Sequence, residues 1–201
     1  MTYKAVSILK EINPGDYHVV VISPTNYFLF TPLLPSATVG TLEPRYNLFR
    51  NWLMRSLVEP IRKIITRCRA HYIEAYAEDV DMSNKLVLVS QTNEDGDNQQ
   101  FYVPYDKLII SVGSNTNTHG VDGLEHVHFL KTILDARGIR NHIMDNFEKA
   151  CLPTTTDEER KSLLSFVVAG GGPTGVEFAS ELSDMMQEDL TPYVTFFLTQ
   201  N

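Results

Sequence analysis

The stretch FVVAGGGPTGVEFASEL, residues 166–182, decides the fold of this chain. An apolar run leads into Gly170, Gly172 and Gly175, which have the spacing G-x-G-x-x-G, and a helical pattern follows at once. The first glycine allows a tight turn, the second lets a pyrophosphate approach the backbone, and the third lets helix and strand pack closely. Free N–H groups and the dipole at the helix start then hold the anion. The stretch therefore predicts a strand, a glycine turn and a helix that bind a dinucleotide.

The acid that would choose between two nicotinamide coenzymes is missing from its usual place. It is expected about 20 residues beyond the glycine turn, where it binds the adenosine ribose. Glu188 and Asp189 still belong to the predicted helix or its end, and the chain then offers only Thr199, Gln200 and Asn201. The fingerprint leaves NADH and NADPH open.

The composition limits the class of protein. With 201 residues, 43% of them hydrophobic, the chain can bury a core in one or two domains. A net charge of -8 argues against nucleic-acid binding, which needs a basic surface.

No apolar run reaches the roughly 20 residues that span a bilayer, and no targeting signal is recognisable at the start. Cys68 and Cys151 are expected to be reduced thiols, and His126 and His128 are too few ligands for a metal site.

A second apolar stretch, VVVISPTNYFLFTPLLPSATVG at residues 19–40, predicts a binding surface. Its opening predicts a buried strand that ends at Ser23. Because three prolines follow, the rest is expected to be an extended arm that joins neither a helix nor a central strand. Another predicted strand ends at Gly113. Two strand ends beside an apolar arm favour a ligand with a flat ring system, and a flavin fits.

Hydrophobic periodicity predicts the other elements. Helices are expected over residues 2–12, 55–68 and 130–150, with a further helix start at Thr156, and strands over 17–23, 70–90 (two strands around a turn), 101–103, 107–112, 163–169 and 191–201.

Four segments together identify a family resemblance: VVVISPTNYFLFTPLLPSATVGTLEPR, SLVEPIR, YDKLIISVGSNTNTHGVDG and VVAGGGPTGVEFASEL. The chain resembles the type II NADH dehydrogenases, the single-chain, non-proton-pumping NADH:ubiquinone oxidoreductases, of the fungal and plant mitochondrial kind. The resemblance implies an α/β, Rossmann-like flavoprotein fold with two dinucleotide-binding domains, in which an NADH domain is inserted into an FAD domain. Residues 1–131 would be a partial FAD-binding domain, 132–161 a connecting helix and linker, and 162–201 the start of the NAD(P)H-binding domain.

The resemblance also assigns roles to individual residues. It implies that Ser23, Pro24 and Asn26 lie near the FAD sugar and phosphates, Thr31, Pro32 and Leu33 along the isoalloxazine ring, Ala77 near the adenine, and Gly113 at the flavin pocket. The NADH pyrophosphate would be held by Gly170, Gly171, Gly172, Pro173, Thr174 and Gly175. Glu177 would be the catalytic residue, at the junction of nicotinamide and flavin; alternatively, it is a helix-start acid favoured by the dipole.

The implied reaction passes a hydride from NADH to FAD and then electrons to a ubiquinone-type quinone. The implied location is the surface of the mitochondrial inner membrane, with a homodimer as one assembly. Two other readings stay open. One is another FAD- and NAD(P)H-dependent oxidoreductase, such as a ferredoxin-reductase-like enzyme; a disulfide reductase is disfavoured because it needs a redox-active cysteine pair. The other is a non-catalytic nucleotide-binding module.

The chain also departs from the family pattern. The family begins with its own strand and glycine turn, and it places a glycine–aspartate FAD contact, a quinone pocket and membrane-binding helices beyond the point where this chain ends. Residues 46–55, YNLFRNWLMR, interrupt a continuous family motif and are interpreted as an insertion or a translated intron. We therefore expect a fragment, truncated at both ends, with impaired activity.

We predict that the purified chain retains little FAD, because two of the family's FAD contacts are expected to lie outside it. The visible absorption spectrum measures the flavin-to-protein ratio. A stoichiometric flavin spectrum would contradict the prediction.

Overall fold

The computed structural model describes residues 7–8, 11–13, 15–41, 57–66, 69–92, 98–118 and 120–190. The chain divides into two compact units. Unit 1 comprises Met1–Leu29 with Val58–His119, and unit 2 comprises Phe30–Leu57 with Gly120–Asn201. The predicted opening helix, residues 2–12, is described only at residues 7, 8, 11 and 12, of which the first three are helical and the last is a bend. The predicted insertion and tail strand lie outside the described residues. The division of the chain at residues 131 and 161 stays a prediction.

The described residues contain both strands and helices, most of the strands in the first half and the longer helices in the second. The strands are β1 (Val20–Ser23), β2 (Tyr27–Leu29), β3 (Val58–Pro60), β4 (His71–Glu74), β5 (Tyr76–Asp81), β6 (Leu86–Thr92) and β7 (Asn98–Pro104). The helices are α1 (Leu34–Val39), α2 (Ile61–Ile65), α3 (Ile133–Ala150), α4 (Asp157–Leu163) and α5 (Pro173–Asp184), with 3-10 turns at Thr31–Leu33 and Leu124–His126 and a π-helical turn at Met185–Leu190.

The parallel pair of β1 and β4 forms the centre of unit 1. Alternate residues of β1 point to opposite faces of the pair. Val21 packs against the buried Ile61 and Ile65 of α2, while Ile22 packs against a second cluster that includes Val87 and Val89 of β6. The prediction of a strand buried on both faces is therefore confirmed, and the unbroken β-branched run Val19–Ile22 reflects that burial.

An antiparallel sheet in the order β5-β6-β7 also belongs to unit 1. Residues 82–85 form the turn between β5 and β6, as predicted. The carboxylate of Asp81 accepts the N–H groups of Ser83 and Asn84 at 2.9 Å. These hydrogen bonds lower the pKa of Asp81, and the bond from the N–H of Asn84 has the largest effect. The turn is therefore held by a charged carboxylate that accepts backbone hydrogen bonds.

The predicted extended arm is wrong beyond β2, since residues 31–39 are helical. Pro32 and Pro35 stand in the first positions of the 3-10 turn and of α1, where a missing N–H costs no hydrogen bond. Leu34, Ala37 and Val39 are buried. The apolar residues of the arm are thus divided: those of α1 belong to the core, and those around the 3-10 turn stay accessible.

The helix predicted over residues 55–68 begins later than expected. Val58–Pro60 pairs with Tyr27–Leu29 as an antiparallel strand, and α2 starts only at Ile61. The strand pairing takes the residues before Pro60 out of the helix, and a residue before proline disfavours helical backbone in any case.

Two predicted strands do not form. Residues 107–112 and 165–169 are not assigned to any sheet, and among the described residues no strand lies alongside either segment. Their side chains are exposed accordingly, by 83% at Val112 and 93% at Val167. Apolar composition marks a segment that can form a strand, but the hydrogen bonds of a strand require a neighbour.

Unit 2 is built around α3, whose amphipathic pattern was predicted. One face of α3 contributes Ile139, Ile143 and Phe147 to a cluster completed by Val39 of α1, Leu182 of α5 and Met185 of the π-helical turn. The helix starts with a capping box in which Thr132 and Asp135 satisfy each other's backbone N–H. The predicted start at Thr156 is confirmed by the same device, with Glu159 as its partner.

We predict that Ile143→Ala lowers the free energy of unfolding of unit 2 by about 2–5 kcal/mol, because it leaves a cavity where the side chain is 1% exposed. Leu134→Ala, on the same helix but 75% exposed, is the matched control and should change it by less than about 0.5 kcal/mol. Urea denaturation followed by circular dichroism measures both. Equal effects of the two substitutions would contradict the described core.

Candidate functional site

The glycine turn has backbone geometry that side chains would disturb at two positions. Gly170 has φ of +122°, a conformation that L-residues with a Cβ rarely adopt. A Cβ on Gly175 would overlap the carbonyl oxygen of Gly170 and lie 3.2 Å from its carbonyl carbon. The first turn of α5 therefore lies directly against the backbone of the turn, and this packing requires glycine at position 175.

The amino end of α5 leaves its first N–H groups to an external partner. Gly172 precedes the helix and has no side chain with which to cap it, and Pro173 occupies the first helical position. A Cβ built on Gly171 or Gly172 would meet no atom within 4 Å. Open space in front of an uncapped helix start suits a phosphate group, which N–H groups and the helix dipole attract.

The predicted catalytic residue, Glu177, lies in α5 with an exposed side chain. It stands one turn beyond Thr174, whose side chain is also exposed. Both roles stay predictions, since no contact of either side chain bears on them.

The residues predicted to lie near the FAD sugar and phosphates surround the end of β1 in unit 1. Ser23 is only 8% exposed, and its hydroxyl donates to the carbonyl oxygen of Thr25 at 3.0 Å. The carbonyl oxygen of Ser23 accepts the hydroxyl of Tyr72 at 3.1 Å. The carbonyl oxygen of Asn26 accepts the N–H of Ile61 at 2.9 Å. In this structure Ser23 thus serves to shape the turn after β1, and a ligand would meet mainly the exposed Pro24 and Thr25.

Two more residues predicted to contact FAD also lie in unit 1. Ala77 is exposed on β5, at the point where the register against β6 shifts between Ala77 and Asp79. Gly113 has φ of +78° and nothing within 4 Å of the place a Cβ would take. Both positions leave backbone accessible, and their contact with FAD stays a prediction.

The residues predicted to lie along the isoalloxazine ring form an accessible turn in unit 2. Thr31 and Pro32 are exposed and Leu33 is half-buried, immediately before α1. Phe30, just ahead of them, is 42% exposed and was not singled out from the sequence. Its place in the same apolar run is the one signal that marks it. The turn Thr31–Leu33 and the glycine turn at residues 170–175 both belong to unit 2.

The remaining reactive side chains give no support to a thiol or metal mechanism in the described residues. Cys151 is a free, half-buried thiol, and its pKa is raised, chiefly by burial and then by the charge of Glu148. His128 pairs with His142, with ring centroids 4.9 Å apart, but within the described ranges no three His, Cys, Asp or Glu side chains converge. None of the helices in those ranges has both the length and the apolar content to cross a membrane.

Comparison with known proteins agrees with the predicted resemblance. A profile of the pyridine nucleotide-disulphide oxidoreductase family matches residues 3–194. The external alternative NAD(P)H-ubiquinone oxidoreductase B2, mitochondrial, of Arabidopsis thaliana is 46% identical over 192 residues, 94% of this chain and 31% of that protein. The external NADH-ubiquinone oxidoreductase 2, mitochondrial, of Saccharomyces cerevisiae is 45% identical over 94% of this chain and 33% of its own length.

A solved structure extends this agreement to the fold. The structure of NDH2 from Plasmodium falciparum in complex with NADH matches with a TM-score of 0.79 and 33% identity, over 95% of this chain and 37% of that one. The chain thus spans about a third of the length of the relatives it matches. The prediction of a type II NADH dehydrogenase resemblance is confirmed.

We predict that Gly175→Ala destabilises unit 2 by about 1–3 kcal/mol, because the added methyl group forces α5 away from the backbone of Gly170. Gly138→Ala is the matched control: it lies within α3, a Cβ there has open space, and helix propensity favours alanine by about 1 kcal/mol. Thermal unfolding should therefore move in opposite directions for the two variants. A neutral Gly175→Ala would contradict the close approach.

Proposed function

Because this chain belongs to the pyridine nucleotide-disulphide oxidoreductase family, we propose that it carries the nicotinamide-dinucleotide site of a flavin-dependent NADH:quinone oxidoreductase. The glycine turn is the observation that supports this most directly. It combines a backbone conformation reserved for glycine, a helix start packed against it and open space in front of the free N–H groups. The name of the Plasmodium relative's complex states that it holds NADH, and we propose the same coenzyme here.

The pyrophosphate of NADH would be held by the N–H groups at the start of α5, with Gly171 and Gly172 allowing it to approach the backbone. Pro173 fixes the first helical position, so this end of the helix is already ordered before NADH binds. Glu177 is proposed to lie where nicotinamide and flavin meet.

FAD is proposed as the resident cofactor, and the accessible turn in unit 2 fits part of it. The exposed Phe30, Thr31 and Pro32, with Leu33, offer apolar surface of the kind that packs against an aromatic ring. When bound, FAD would supply the acceptor for the hydride and the donor of electrons to quinone. The chain's own residues have then to hold two rings in contact and exclude water, and no nucleophile is needed.

The rest of the reaction is proposed from the named relatives. Electrons would pass to a ubiquinone-type quinone, because the plant and yeast relatives are named for that substrate. Their names also say mitochondrial, and we propose the same compartment, with contact at the surface of the inner membrane and a homodimer as the assembly. Membrane flotation and analytical ultracentrifugation measure these two properties.

We predict that Gly172→Ala raises the Kd for NADH about tenfold or more, because its methyl group enters the space through which the pyrophosphate reaches the helix start. The thermal midpoint should stay unchanged, since that space is empty of protein atoms and the backbone conformation suits alanine. Isothermal titration calorimetry measures NADH binding, and Gly138→Ala serves again as control. Unaltered NADH affinity of Gly172→Ala would contradict the site.

The purified chain can also be used to distinguish an enzyme from a nucleotide-binding module. With FAD supplied in excess, NADH should bleach the flavin absorption, and added quinone should restore it. NADH binding without bleaching would favour the module. Bleaching with NADPH as fast as with NADH would show that the ribose is not discriminated.

A further inference from the structure

The carboxylate of Glu181 joins α5 to the segment that contains α1. The hydroxyl of Ser36 donates to one carboxylate oxygen of Glu181 at 2.6 Å, and the hydroxyl of Thr41 donates to the other at 3.3 Å. These two hydrogen bonds, here named the Glu181 link, connect residues about 140 positions apart in the sequence. Ser36 and Glu181 are half-buried, so water competes less for them than at an open surface.

The residues of the Glu181 link lie close in sequence to the turn Thr31–Leu33 and to the glycine turn, which the proposed function assigns to flavin and NADH. On one side, Ser36 belongs to α1, which follows the turn Thr31–Leu33 without a break, and the N–H of Leu34 donates to the carbonyl oxygen of Thr31. On the other side, Glu181 lies two turns after the start of α5 and one turn after Glu177, on the same face of the helix.

The link supplies a constraint that the apolar core does not. Val39, Leu182 and Met185 pack in one cluster with α3, which holds the helices at contact distance. Apolar burial is not directional and leaves a helix some freedom to slide or rotate on its neighbour. The bond from Ser36, at 2.6 Å, has the length of a charge-assisted hydrogen bond and is oriented, so it restricts the register of the two segments. The exposed bond from Thr41 is longer, at 3.3 Å, and adds a weaker restriction on the other oxygen.

We propose that Glu181 is a positioning residue that fixes the turn Thr31–Leu33 relative to the nucleotide-binding start of α5. The proposal rests on the proposed function for its consequence, namely the alignment of the nicotinamide and flavin rings. Glu181 does not itself need to touch either coenzyme, because it would act through the segments that it joins by accepting from Ser36 and Thr41.

The test compares Glu181→Ala and the double substitution Ser36→Ala, Thr41→Val with two controls. Ser183→Ala removes a hydroxyl on the same helix that accepts only a local bond from Gln187 among the contacts described for it, and should change nothing. Glu181→Gln can still accept from Ser36 and should restore part of the effect. Ile143→Ala shows what a general loss of core stability does.

The first measurement is hydrogen exchange, which needs no coenzyme. The N–H groups of Leu33, Leu34 and Val176, bonded within the two turns, should exchange about tenfold faster in both link variants than in the wild type. The second measurement is the rate of FAD reduction at saturating NADH and FAD, which should fall about a hundredfold, while the Kd for NADH changes less than threefold.

Unchanged exchange at both turns would overturn the proposal. So would faster exchange spread over all of unit 2 with parallel loss of NADH affinity, the pattern expected of Ile143→Ala, because it would make the link merely structural. If the wild type binds no NADH, the proposed function fails. In that case, or if FAD reduction by the wild type is too slow to measure, hydrogen exchange at the two turns alone decides whether the link holds them.

Discussion

The structure of the site depends on one close approach, that of α5 to the backbone of Gly170. Because Gly175 has no side chain, the first turn of α5 can lie against the backbone of Gly170, while the space beside Gly171 and Gly172 stays open. The same approach orients α5, so Leu182 reaches the core of unit 2 and Glu181 reaches Ser36 and Thr41. The absence of a single Cβ therefore affects both the start of the helix and its packing.

Unit 2 brings together segments that the sequence keeps far apart. The residues around 31–41 and 170–190 share one core through α3, although more than a hundred residues separate them. In a hydride transfer between two bound rings, catalysis comes largely from orientation. Under the proposed function, a scaffold that places the turn Thr31–Leu33 and the glycine turn beside neighbouring helices of one unit is suited to that requirement.

The sequence predicted those features that depend on local chemistry. Thr156 marked one helix start, and the glycine spacing marked another. Prediction from the sequence failed where a residue distant in the chain determines the local structure. Residues 107–112 have the composition of a strand but no neighbour among the described residues. Pro32 and Pro35 suggested an extended arm, yet both prolines fit a helix start. Glu181 gave no sequence signal, because its hydroxyl partners are distant in the chain.

The parallel pairing of β1 with β4 has a consequence for biosynthesis. Val20 pairs with His71, so the first strand leaves the ribosome roughly 50 residues ahead of its partner. At ordinary rates of translation that interval lasts about 3–10 s. Throughout it, the apolar run Val19–Ile22 has an unpaired edge and two uncovered faces. Nascent chains of this protein should therefore be clients of ribosome-associated chaperones until residue 71 has emerged.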